Sequence, residues 1–145
     1  MSTVTATTTP TARKELSLTR INMMRAGYAF MGIGLALVKW PLLPEAHTLP
    51  LYEGVTLALL TAMSLLAWVG LRYPVKMLPV LLFETTWKLF WLPLVALPTA
   101  LSGDMTAAMT TVMVNCFFVA PVIAVTPWRY VWTEYVRASG DRWRR

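Results

Sequence analysis

The residues whose side chains are best suited to chemistry lie in the stretch FETTWKLFWLP, residues 83–93. Glu84 and Lys88 stand four residues apart in an otherwise apolar run, with the acid on the N-terminal side, which favours an ion pair within one helix. Trp87 and Trp91 repeat this spacing. A buried carboxylate can handle protons and a nearby ammonium can tune it, so Glu84 and Lys88 are the candidate catalytic residues.

Two interpretations of this stretch stay open. In the first, Glu84, Trp87, Lys88 and Trp91 line a ligand-binding pocket for a lipophilic molecule with a polar head. In the second, Glu84 and Lys88 form a structural clamp between helices, which is the preferred interpretation. Each charge alone costs roughly 2.5–3.5 kcal/mol at the middle of a membrane, so both interpretations require pairing or neutralisation of Glu84.

Thr111 and Asn115 are further candidate ligand-binding residues, because they lie one helical turn apart in another apolar run. In lipid an asparagine side chain needs a hydrogen-bonding partner, which we expect to lie within the bundle. The simpler interpretation of this polar pair is an interhelical hydrogen bond that fixes packing.

Residue types that bind metals or cofactors are scarce. The single cysteine, Cys116, excludes an intrachain disulfide and a thiolate metal cage. The single histidine, His47, lies near Glu45 and Glu53 in a proline-rich segment, where an exposed loop histidine is the better interpretation. We therefore predict no metal site and no cofactor.

The composition of the chain indicates whether these residues lie in water or in lipid. The 145 residues are 57% hydrophobic and 14% charged, with a mean hydropathy of +0.55, whereas charged residues make up about a quarter of a soluble domain. Residues 54–71 and 105–125 contain no charge, and each run is long enough to cross about 30 Å of hydrocarbon as a helix. The sequence therefore predicts an integral membrane protein.

The predicted fold is an all-α four-transmembrane-helix bundle with a short interfacial C-terminal segment. Its transmembrane domain covers residues 17–127, between a disordered threonine-rich tail at 1–16 and a basic aromatic cytoplasmic tail at 128–145. The predicted spans are residues 21–40, 54–72, 77–99 and 105–126.

Basic residues predict the orientation. They precede the first span, lie between the second and third, and follow the fourth, whereas the opposite loops are mainly acidic. The positive-inside rule then puts both termini of this multi-pass chain in the cytoplasm, in a bacterial-type inner membrane. The net charge of +6 is explained by arginines that face anionic lipid, so membrane lipids are expected partners and nucleic acid is not.

The segment after Pro127 alternates aromatic with basic residues. Trp128, Trp132 and Tyr135 fall at helical spacing, which favours an interfacial helix on the membrane surface. An ordinary aromatic belt followed by a solvated tail explains the pattern equally well.

The first span carries a stripe of small residues, Ala29, Gly32 and Ala36, that lets another helix approach closely. Its sequence TRINMMRAGYAFMGIGLALVKWP, with an arginine before the span, glycines within it and a lysine at its end, resembles the first helix of DoxX-like proteins. This resemblance implies a small four-helix membrane protein, some relatives being subunits of quinol-linked respiratory complexes. It assigns no functional residue to this chain.

Two classes of function follow from these patterns. The favoured one is a non-catalytic subunit or accessory factor of a membrane complex, with other membrane-protein subunits as partners. The alternative is an intramembrane binding protein or enzyme for a lipophilic small molecule such as a quinone, sterol or lipid, with Glu84 and Lys88 at the site.

Overall fold

A computed structural model describes residues 16–140 of the chain. The predicted N-terminal tail, apart from Leu16, and residues 141–145 of the predicted cytoplasmic tail lie outside this range. Four helical segments are long and apolar enough to cross a membrane, which confirms the all-α four-helix membrane bundle. Their ends agree with the predicted spans to within about one helical turn, except that helical structure continues beyond the first span.

Spans one and two are regular helices joined by a proline-containing segment. Helix α1 covers Leu18–Lys39, and the Ser17 hydroxyl caps it by accepting from the Arg20 amide at 3.3 Å. A 3₁₀ helix, Trp40–Thr48, follows and contains two of the prolines. Helix α2, Leu51–Arg72, begins directly after Pro50 and ends just before the Tyr73–Pro74 turn.

Span three is built from helix α3, Leu78–Trp91, a π-helical turn, Leu92–Ala96, and helix α4, Leu97–Ser102. Pro93 and Pro98 lack the amide hydrogen that a regular helix requires, so the local change of helical type falls where the first of them interrupts the ladder. Gly103 ends the span with a φ of 80°, a left-handed conformation that glycine adopts without strain.

Span four is interrupted in its middle. Helix α5 covers Ala107–Phe117 and helix α6 covers Val119–Val125. The break at Phe118 lies three residues before Pro121, whose ring cannot follow a regular turn. The helical irregularity that Pro121 suggests is therefore present.

One end of the bundle holds both ends of the described chain and the turn at residues 73–77, and we call it the basic end. The Arg20 guanidinium donates to the Thr126 carbonyl at 3.1 Å, and this bond joins the start of span one to the end of span four. Arg25 donates to the Leu71 carbonyl at 3.2 Å. The buried Tyr28 hydroxyl donates to the Pro74 carbonyl at 2.9 Å.

The hydrophobic core lies in the half of the bundle nearest the basic end. Helices α1 and α2 pack along their length, and α6 packs against α1 and α3. The Ser64 hydroxyl of α2 donates to the Gly32 carbonyl at 3.0 Å, so the small-residue stripe of α1 is used for close helix packing. The core residues are Met24, Tyr28, Met31, Met63, Ala67, Leu78, Val80, Leu81, Val119 and Val122.

The other half of the bundle is packed more loosely. Helix α5 contacts the π-helical turn of span three, while most contacts of span four with α1 and α3 come from α6. Of Ala107–Phe117 only Cys116 is buried, and α4 has no buried residue. The two hairpins of the bundle therefore pack together at the basic end and separate toward the opposite end.

Candidate functional site

Glu84 and Lys88 form a buried ion pair on α3. The Lys88 ammonium lies 2.6 Å from Glu84 Oε1, and the two residues are 8% and 3% exposed, respectively. Lys88 is ten residues from Leu78 and fourteen from Ser102, which corresponds to about 15 Å and 21 Å along a helix. The pair therefore lies near the middle of span three.

Both charges have further partners inside the chain. Trp87 Nε1 donates to the second carboxylate oxygen of Glu84 at 2.8 Å. The Lys88 ammonium lies 5.4 Å from the centre of the Trp87 ring, within the range of a cation–π contact. It also donates a long hydrogen bond, 3.4 Å, to the backbone carbonyl of Asn115. Both oxygens of the carboxylate accept a bond, and the ammonium joins span three to span four.

The Asn115 carbonyl was not identifiable as a partner from the sequence. It lies one turn before Val119, where the break at Phe118 interrupts the regular helix. A backbone acceptor leaves no trace in side-chain types, and Pro121 was the one signal that the helix would be irregular here.

Trp87 and Trp91 line a shallow groove on the outer surface of span three. The other lining residues are Phe83, Thr86, Phe90, Leu94 and Val95. Trp87 contacts both Glu84 and Lys88, whereas the two charges point into the bundle and do not line this groove. Positions three residues apart differ by about 60° around a helix, which lets Trp87 line the groove and still reach the charges.

A second groove lies between α5 and the half of span three that is farther from the basic end. Its lining is apolar and consists of Leu92, Pro93, Ala96, Leu97, Ala100, Met113 and Phe117. Neither Glu84 nor Lys88 lines either of these two grooves.

Thr111 and Asn115 lie on the exposed surface of α5. The Thr111 hydroxyl donates to the Ala107 carbonyl of its own helix at 3.0 Å. The expected partner of the Asn115 side chain within the bundle is not found among residues 16–140, where Asn115 contributes its backbone carbonyl alone. Asn115 directly precedes the buried Cys116, so its side chain points about 100° away around the helix, to the exposed side of α5.

Thr85 is a polar residue of this region that sequence reasoning missed. It is buried beside Glu84, and its hydroxyl has no hydrogen-bond partner among the described residues. A threonine in an apolar helix gives little signal, because its hydroxyl usually bonds to the preceding turn.

The metal-binding residue types stay apart in the described part of the chain. Within residues 16–140 no group of three His, Cys, Asp or Glu side chains could hold a metal ion. His47 is exposed on the 3₁₀ helix, and Cys116 is buried in span four.

The C-terminal segment begins with helix α7, Trp128–Val131, and continues as a π-helical turn, Trp132–Arg137. Tyr130 and Val131 pack against the core, whereas Trp128, Trp132 and Tyr135 are exposed. Partial desolvation beside the bundle, followed by the nearby Tyr130 and Glu134, raises the pKa of Tyr135 above its usual value. The segment thus presents aromatic side chains beside the basic end of the bundle.

Fold and site together define a four-helix, multi-pass integral membrane protein with a buried ion pair in its third span. Comparisons of the chain with protein families, with curated proteins and with solved structures found no match.

Proposed function

We propose that this chain is a non-catalytic subunit or accessory factor of a membrane complex. The observation that carries the proposal is that the Glu84–Lys88 pair is enclosed within the bundle. Each charge is met by the other and by Trp87 or the backbone of span four, and neither lines either of the two described grooves. A proton-handling carboxylate must reach its substrate, so an enclosed pair suits assembly better than chemistry.

The exposed surfaces offer places for a partner subunit. The aromatic side chains Trp128, Trp132 and Tyr135 are exposed next to the basic end, and aromatic residues are enriched in the cores of protein interfaces. The resemblance of the first span to DoxX-like proteins agrees with a role as a small subunit.

Genetic complementation combined with native electrophoresis tests this function. A deletion strain is complemented with the tagged wild-type chain or with the double variant Glu84→Leu/Lys88→Met. We expect the chain to migrate within a larger complex, whose other subunits decrease in the deletion strain and recover equally with both proteins. Migration as this chain alone, with no change in other membrane proteins on deletion, would contradict the proposal.

The alternative function is an intramembrane binding protein or enzyme for a quinone, sterol or other lipid that uses Glu84 and Lys88. The observation that favours it is the Thr85 hydroxyl, which is buried beside the carboxylate and has no hydrogen-bond partner within residues 16–140. This alternative function predicts a different result for the same strains. Wild type alone would then restore function, and a lipophilic ligand would raise the thermal stability of wild type but not of the double variant.

We further propose that the basic end faces the cytoplasm of a cell with an inner membrane. Support comes from its charges, since Arg20, Arg25, Arg72, Lys76 and Arg129 all lie at or beside this end. Reporter fusions after Gly103 and after Arg145 are expected to fall on opposite sides, with the second in the cytoplasm. If both fusions report the same side, the four-span arrangement is wrong.

A further inference from the structure

The side chain of Asn115 lies at the surface of the chain near the middle of span four. It is eight residues from Ala107 and ten from Val125, or about 12 Å and 15 Å along a helix. The residue is exposed, and its amide makes no hydrogen bond to any other group in residues 16–140. A primary amide at this depth meets hydrocarbon instead of water, and leaving its donors and acceptor unpaired there is costly.

The neighbours of Asn115 on α5 form a continuous exposed stripe. Ala108, Thr111 and Val112 precede Asn115 by seven, four and three residues, so all four share one side of the helix. Each of them is exposed. We call Ala108, Thr111, Val112 and Asn115 the Asn115 face. Its side chains are short, which allows another helix to approach closely.

We propose that a second copy of this chain covers the Asn115 face, and that the two Asn115 amides hydrogen-bond to each other across a two-fold axis. Two copies inserted in the same orientation place Asn115 at the same depth, so no other coincidence of position is needed. An amide group is both donor and acceptor, and it therefore complements itself in an isologous contact.

Other occupants satisfy this face less well. The acyl chains of lipids have no hydrogen-bonding group at the membrane centre. A helix of another protein must carry its own polar residue at this depth, which a second copy provides automatically.

Cysteine cross-linking in membranes locates the contact. Cys116 is the single cysteine of the chain, so Cys116→Ala gives a cysteine-free background. In that background, Ala108→Cys and Thr111→Cys keep Asn115 intact and are expected to form disulfide-linked dimers. Val114→Cys and Phe117→Cys are matched controls, since both residues are exposed on other sides of α5, and they should stay monomeric. Equal cross-linking at all four positions would overturn the proposal.

Energy transfer between labelled copies of the purified chain in lipid vesicles measures the association. We expect Asn115→Leu to weaken it about 5- to 30-fold, which corresponds to the usual strength of hydrogen bonds between membrane helices. Asn115→Gln, which keeps the amide, should retain most of the affinity.

A monomer at every protein-to-lipid ratio, or a Leu variant that associates as well as wild type, would overturn the proposal. Cross-links from the Asn115 face to a different protein in native membranes, without homodimer, would do the same. Because the vesicles contain no other protein, this outcome is independent of the accessory role proposed above.

Discussion

Replacing either Glu84 or Lys88 alone is expected to lower the free energy of unfolding by about 3–5 kcal/mol, because the survivor is left as a buried unpaired charge. Glu84→Leu also removes the acceptor of the Trp87 indole and leaves Lys88 with a long bond to the Asn115 carbonyl. Lys88→Met leaves the carboxylate with Trp87 as its remaining donor. Glu84→Gln is expected to destabilise as well, although less, because the amide can still accept from Trp87.

The double variant Glu84→Leu/Lys88→Met distinguishes the clamp from a functional site. In the clamp, removing both charges restores much of the lost stability, so the effects of the single changes are strongly non-additive. In a proton-handling or ligand site, the double variant is folded but inactive. We prefer the clamp, because both carboxylate oxygens and the ammonium have partners inside the bundle.

Reversible unfolding in mixed detergent micelles, followed by circular dichroism, measures these free energies. Glu53→Leu is a suitable control because Glu53 is exposed in the first turn of α2, and a change of no more than about 0.5 kcal/mol is expected there. Single variants at Glu84 or Lys88 that are as stable as the Glu53→Leu control would contradict the clamp interpretation.

Adding one methyl group at Gly70 is the second change with a large expected effect. A Cβ atom built at Gly70 lies 2.6 Å from Tyr28 Cε1 and 2.7 Å from Tyr28 Cγ, both far inside normal contact distance. Tyr28 cannot move away easily, because it is fully buried and its hydroxyl donates to the Pro74 carbonyl at 2.9 Å. Gly70→Ala is therefore expected to destabilise the bundle by about 1–3 kcal/mol through overpacking.

Gly34→Ala is the matched control for this experiment. Gly34 is also a helical glycine, but nothing lies within 4 Å of a Cβ built there, so its replacement should be neutral or slightly stabilising. Combining Gly70→Ala with Tyr28→Leu removes the clashing ring, so the double variant should lose less stability than the sum of the two single losses. Equal melting temperatures of the Gly70 and Gly34 variants would show that α1 and α2 are not packed as described.

The spans and the ion pair were predictable because they depend on local sequence. An apolar run of about 20 residues has few alternatives to a membrane helix, and a four-residue spacing sets Glu84 and Lys88 side by side on any helix. Their inward orientation followed from the cost of exposing charge to lipid.

The separation of the bundle away from the basic end was not predictable. Residues that face lipid and residues that face other helices are equally apolar, so hydropathy alone does not show where α5 leaves the core. Hydropathy also does not show that the side of α5 that carries Asn115 faces away from the bundle, so Asn115 was expected to have a partner inside the chain. The requirement for a partner can be met from outside the chain as well, and sequence reasoning could not choose between the two.

The four-residue spacing of Glu84 and Lys88 also affects the biogenesis of the protein. Both partners belong to one helix, so the ion pair can form as soon as α3 has coiled, before any other span is in place. Span three can then leave the insertion machinery as an electrically neutral segment, which avoids much of the cost of two separate charges in lipid. The bond from Lys88 to the Asn115 carbonyl requires span four, and it can form only when that later-synthesised span has packed beside α3.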